Sequence, residues 1–192
     1  MNQSELNEAR SNPEFLEYLE KTRVDAIESK NIEALYEVLD TMLILDLDEE
    51  KINSIYQHIL TISFDEVQTI IDAGKKLSLE NHELYLVRSF YEHAIEKWSN
   101  DQFDAAKELL FVLCNIIEDE TLQKSINVHL ISIATETTLD VFYKEKVDTS
   151  NVSTQEKYAY FIDEFTFNID DYLKENTVLL EKEYASLKHL LD

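Results

Sequence analysis

The stretch from Leu79 to Asp119, LENHELYLVRSFYEHAIEKWSNDQFDAAKELLFVLCNIIED, decides the fold. Phe90, Ala94 and Trp98 recur at a spacing of four, and Phe103, Ala106, Leu110, Leu113 and Ile117 at spacings of three and four, so each set falls on one stripe of a helix. The polar Ser99-Asn100-Asp101 between them reads as a turn. The spacing predicts two antiparallel helices, Leu79 to Ser99 and Asp101 to Glu118, joined by a short turn.

Outward from this pair the chain continues in the same language. Asn12-Pro13 reads as a helix cap followed by proline at the first helical position, with Phe15, Leu16, Leu19, Val24 and Ile27 on the apolar face of a helix to about Ser29. Asn31 opens a second helix that ends before Asp46, and Asp48 a shorter third. Ser63-Phe64-Asp65-Glu66 has the form of a capping box and predicts a fresh helix start, ended by Gly74. Between Glu120 and Tyr143 the apolar positions partly alternate as a strand would, but no turn offers a hairpin partner, and helix is the expectation. A second capping box at Ser153 to Glu156 opens a predicted helix carrying Tyr158, Phe161, Ile162, Phe165, Ile169, Tyr172 and Leu173, and a last one runs from about Thr177 to Leu191.

The expected class is therefore all-α, about eight or nine helices stacked as antiparallel pairs in a solenoid or bundle. Residues 1 to 11 are expected to be a flexible N-terminus and 12 to 143 the helical-repeat domain. Residues 144 to 152 read as a loop, and 153 to 192 as a C-terminal helical pair packed on the same domain or forming a unit of its own. The single glycine, Gly74, and single proline, Pro13, argue against sheet-rich folds and against the glycine loops that cradle phosphates.

With 17 basic and 40 acidic residues the net charge is −23, which repels nucleic acid and anionic membranes. A basic or apolar protein partner fits better; the charge can also serve solubility alone. The single cysteine, Cys114, lies in an apolar run and suits a reducing compartment, and no signal peptide or membrane span is visible, so a cytoplasmic protein without stable membrane insertion is expected. No catalytic signature is present, and neither cofactor nor metal is expected. His58, His82, His93, His129 and His189 form no His-Glu-x-x-His pair. Asp46, Asp48 and Glu50 begin like a calcium loop, but Lys51 and Gln57 stand where the turn glycine and the closing glutamate belong. The chain reads as a binding protein rather than an enzyme.

Asn31-Ile32-Glu33-Ala34-Leu35, Ser63-Phe64-Asp65-Glu66-Val67 and Gln102-Phe103-Asp104-Ala105-Ala106 share one pattern and start 32 and then 39 residues apart, bracketing the period of about 34 of tetratricopeptide repeats. Phe90-x-x-x-Ala94 and Phe103-x-x-Ala106 resemble such a repeat, with Asp101 where its consensus has glycine. More specifically, the run from Glu83 to Asp119, above all FDAAKELLFVLCNIIED, resembles the first repeat of class II type III secretion chaperones. That family comprises small, acidic, cytosolic helical proteins that hold hydrophobic translocator subunits in a groove before export. The resemblance covers about 40 of 192 residues, and the chain beyond Asp119 departs from the family pattern. It implies that Arg88, Tyr91, Ile95 and Trp98 line the inner, partner-binding face of the first helix; the other reading of Ile95 and Trp98 is ordinary core. The alternative function is an acidic decoy or regulator occupying a basic, nucleic-acid-binding protein surface. The identity of the client and a homodimer are left open.

Overall fold

A computed structural model describes residues 3–151 and 155–191. The chain is all-α: ten α-helices and two short 3₁₀ turns, with only two isolated β-bridges and no strand among the described residues. It divides into two compact units, residues up to Thr69 and residues from Ile70 onward, so the division falls near the end of a helix and not at the loop 144 to 152. No helix among the described residues is long and apolar enough to cross a membrane.

The first unit holds α1 (Gln3–Ser11), α2 (Pro13–Ser29), α3 (Ile32–Ile44) and most of α4 (Glu49–Asp72). Asn12 caps α2, its side chain accepting from the amides of Glu14 and Phe15 at 3.0 and 3.2 Å, and Asn31 accepts from Ala34 to cap α3. Two differences from the sequence reading have local causes. Residues 3–11, read as a flexible terminus, form a helix, and the Arg10 guanidinium near its end donates to the Leu45 carbonyl. The predicted break at Ser63 is absent: α4 runs through it, and Ser63 sits buried in mid-helix with its hydroxyl unpartnered, since the apolar positions on both sides keep one helical phase. As the sequence reading has it, Asp48 opens this helix, its side chain accepting from Lys51 N–H at 3.1 Å.

The second unit is built on α5 (Asn81–Ser99) and α6 (Phe103–Ile116), the hairpin anticipated from the stripes. Its turn takes Asp101 into the left-handed region, φ 56°. Against α6 lies α7 (Glu120–Ala134), which buries nine of its fifteen residues. A short α8 (Leu139–Lys146) packs on α5, and α9 (Ile169–Glu175) and α10 (Thr177–Leu187) pack on α7. The predicted helix from Ser153 is the largest departure: Ser153 and Thr154 lie outside the described residues. Gln155 to Asn168 holds a single 3₁₀ turn, Glu156–Tyr158, followed by irregular backbone. This strap forms an isolated antiparallel bridge, Val147 with Phe165.

Candidate partner-binding site

The four residues expected on the inner face of α5 are not on a free surface. Tyr91 and Trp98 are 3% and 0% exposed, Arg88 is buried at 6%, and only Ile95 is left half-buried. Spacing of three and four does bring Arg88, Tyr91, Ile95 and Trp98 to one side of α5, but α7, α8 and the strap cover that side. Trp98 is core, its ring 4.7 Å from that of Phe142 on α8 and 5.9 Å from His129 on α7, with the indole N–H donating to the Thr137 carbonyl at 2.8 Å.

At the centre lies a sealed polar relay. His129 is fully buried, and its Nδ1 is 2.6 Å from the Ser125 carbonyl; a carbonyl only accepts, so Nδ1 carries the proton and donates. Nε2 is then an acceptor and receives the Tyr91 hydroxyl at 3.0 Å. The same Tyr91 oxygen accepts the backbone N–H of Ile162, in the strap, at 3.0 Å. Burial drives the His129 pKa down to about 4, only partly opposed by the Ser125 carbonyl, and burial pushes the Tyr91 hydroxyl above its ordinary range. Both imidazole nitrogens are engaged and the ring is fully buried, so His129 ties α5 to α7.

Around this relay the strap lays down its side chains. Phe161 meets Tyr91 edge to face at 5.1 Å, Phe165 meets His129 and Phe142 at 6.1 and 6.2 Å, and the Arg88 guanidinium lies 4.1 Å over the Tyr160 ring. Arg88 also pairs with Glu92 at 2.7 Å. At the near end Asp119 caps α7, accepting from Leu122 N–H at 2.9 Å, and takes Lys157 at 2.8 Å and the Tyr158 hydroxyl at 3.0 Å. Burial alone would raise the Asp119 carboxyl, but those donors outweigh it and hold the group below the usual range.

His129, Phe142, Asp119 and the strap aromatics are parts of this face that the sequence reading did not assign to it. A histidine inside the apolar run Ile126 to Ile133 was the available signal, since a buried imidazole needs partners. Away from the face, Cys114 is buried beside the Tyr184 hydroxyl at 3.2 Å, with its thiol pushed up by desolvation, an inert environment. His93 pairs with Glu96 at 2.9 Å, and the described residues contain no group of three or more His, Cys, Asp or Glu placed to share a metal. The face is filled by an extended, aromatic-bearing segment of the same chain. No protein-family model matches the chain, and no curated protein or solved structure matches it either.

Proposed function

We propose that this chain is a protein-binding helical module of the secretion-chaperone kind, acting in the cytoplasm, which holds an apolar, aromatic-bearing segment of another protein. The observation that supports the reading is the way the α5–α7–α8 face already takes an extended segment: one backbone N–H on Tyr91, aromatic edges on Tyr91 and His129, and a ring under Arg88. Aromatic and arginine anchors of this sort dominate the energetics of protein recognition. The excess of carboxylates keeps the complex soluble and favours clients with basic flanks.

The test is retrieval of the tagged full chain, carrying a photo-cross-linking residue in place of the half-buried Ile95, from lysate of its own cells. Bound proteins are identified after washing at low and at about 0.5 M salt. One hydrophobic protein, cross-linked and surviving the salt, is the expected outcome. An empty retrieval would sink the reading. Recovery only of basic proteins released by salt would favour the second reading, an acidic decoy on a basic protein surface, for which the net charge of −23 speaks.

A further inference from the structure

Two of the points that hold the strap end on a titratable acceptor, and at both the strap donates. At one, the Ile162 N–H reaches the Tyr91 oxygen at 3.0 Å, and the Tyr91 proton goes on to His129 Nε2, also at 3.0 Å. At the other, Lys157 Nζ and the Tyr158 hydroxyl meet the Asp119 carboxylate at 2.8 and 3.0 Å. Acid acts on both in one direction. A proton on Nε2 turns it into a donor, so that the Tyr91 oxygen faces two donors while its own proton loses its acceptor. A proton on Asp119 removes the charge that Lys157 pairs with. Neither conflict survives once the strap lifts, because water accepts and donates alike. The side chains facing the imidazole, Tyr91 and Trp98 of α5, Phe142 of α8 and Phe165 of the strap, carry no charge, and Nδ1 is spent on the Ser125 carbonyl of its own helix. The charges that act on the Tyr91 hydroxyl are those of Glu92 on α5 and Asp163 in the strap. Asp119 shares a cleft of about 460 Å³ with Glu80, Glu118 and Glu120 besides Lys157.

We propose that the strap is an acid-sensitive latch: a proton on His129, and at lower pH one on Asp119, favours release of residues 155–162 from α5 and α7 while the helices stay folded. The backbone bonds from the Thr166 N–H to the Lys146 carbonyl and from the Asp148 N–H to the Glu164 carbonyl involve no titratable group and remain as the hinge. The proton enters where the Ile162 N–H has left the Tyr91 hydroxyl. Burial holds His129 at about 4 in the closed form against an ordinary 6.5, so the released form takes the proton first, and release gains about tenfold for each pH unit between those values. Asp119, held below its ordinary 3.8, adds to this only in stronger acid. The latch needs no bound partner, and it stands or falls apart from the protein-binding reading.

Amide exchange in the unaltered full chain tests this. Protection of the Ile162 N–H, with the intrinsic exchange rate at each pH divided out, is expected to fall about 100-fold between about pH 7 and pH 4.5, and to lie below that of the amides at the centre of α5 at both. Unchanged protection overturns the latch. Protection equal to that of α5 at both pH values also overturns it, since the strap then opens only with the unit as a whole. His129→Gln, neutral throughout, is expected to lose most of the fall, and an undiminished fall in the folded variant overturns the assignment to His129. Should that variant not fold, the imidazole ¹⁵N shifts of the unaltered chain decide: Nδ1 protonated and Nε2 bare at neutral pH is the expected pattern, and a proton on Nε2 there overturns the proposal. Asp119→Asn keeps a cap for α7 but removes the charge that Lys157 pairs with. It is expected to speed exchange of the Phe161 N–H about tenfold at neutral pH, and unchanged exchange overturns the part given to Asp119.

Discussion

Two regions of the second unit carry the same apolar spacing and fold differently. Phe103, Ala106, Leu110, Leu113 and Ile117 belong to α6, a helix that runs unbroken to Ile116 and is capped by Ile117. Tyr158, Phe161, Ile162, Phe165 and Ile169 belong to a segment whose only helical turns are Glu156–Tyr158 and α9. Spacing records which side chains a helix would gather on one face, but not where the backbone donors go. In α6 the amides stay within the helix, and α5 and α7 bury Ala106, Leu110 and Leu113 along its length. In the strap the Ile162 N–H, which a helix would direct to the Tyr158 carbonyl, goes to the Tyr91 hydroxyl, and the Thr166 N–H goes to the Lys146 carbonyl. The strap exchanges intrahelical bonds for seats on an aromatic floor that already exists.

Removing that floor is the severest way to break the contrast. Phe142→Ala empties the ring that touches Trp98, His129 and Phe165, and is expected to cost about 3–5 kcal/mol. Urea unfolding followed by the emission of Trp98, the single tryptophan, reads this in the second unit alone. A loss below about 1 kcal/mol would show that the face is loosely packed. The same packing makes Trp98→Ala a folding variant, not a probe of partner contact; Ile95 is the position for that.

Acid is the next lever. The His129 pKa is about 4 in the folded chain against an ordinary 6.5, so the unfolded chain takes up the proton first as pH falls. The stability it lends is complete above about pH 6.5 and drains away towards pH 4, roughly 3 kcal/mol in all. Unfolding free energies measured across that window in the unaltered chain and in His129→Gln should diverge in slope, with the native chain the steeper. Parallel curves would mean that His129 reaches solvent.

The sequence carried the helices wherever one face is apolar and the other wet. Asn12-Pro13, Asn31 and the α5–α6 stripes belong to that class. It was ambiguous over α7, because a helix buried on nearly every side loses the polar face that makes a period visible, and Ile126, Val128 and Leu130 then pass for alternation. At Ser63 the capping motif was present but the apolar phase ran through it. Of the site, the sequence supplied Arg88, Tyr91 and Trp98 as neighbours on one face and left core open for Trp98, but offered no sign that Arg88 and Tyr91 are buried. The cover comes from Phe142 and from the strap, whose Ile162 amide reaches Tyr91 across 71 residues of chain, a separation that no local period records.

A milder break leaves the floor in place and removes only the bond that diverts the strap. Tyr91→Phe keeps the ring against Phe161 but strands the Ile162 N–H and His129 Nε2, at an expected cost of about 1–3 kcal/mol, read again by Trp98 emission. Exchange at Ile162 should quicken more than exchange in α6; uniform quickening would tie the strap to the hairpin as one cooperative piece.

The smallest effect lies on the hairpin side and has the opposite sign. Asp101 holds φ at 56° in the turn between α5 and α6, with its N–H donating to the Trp98 carbonyl at 3.0 Å, while its side chain is exposed. A residue with a Cβ is strained there, aspartate less than most, and glycine removes the strain while adding freedom to the unfolded chain. These two effects nearly cancel, so Asp101→Gly is expected to stabilise the second unit by no more than about 0.5–1 kcal/mol, with no change in Ile162 exchange relative to α5. A loss of stability instead would give the Asp101 carboxylate a task that its exposed position does not explain. A gain that also slowed exchange at Ile162 would show that the turn and the strap are coupled through α5, and that the hairpin sets how firmly the strap is held.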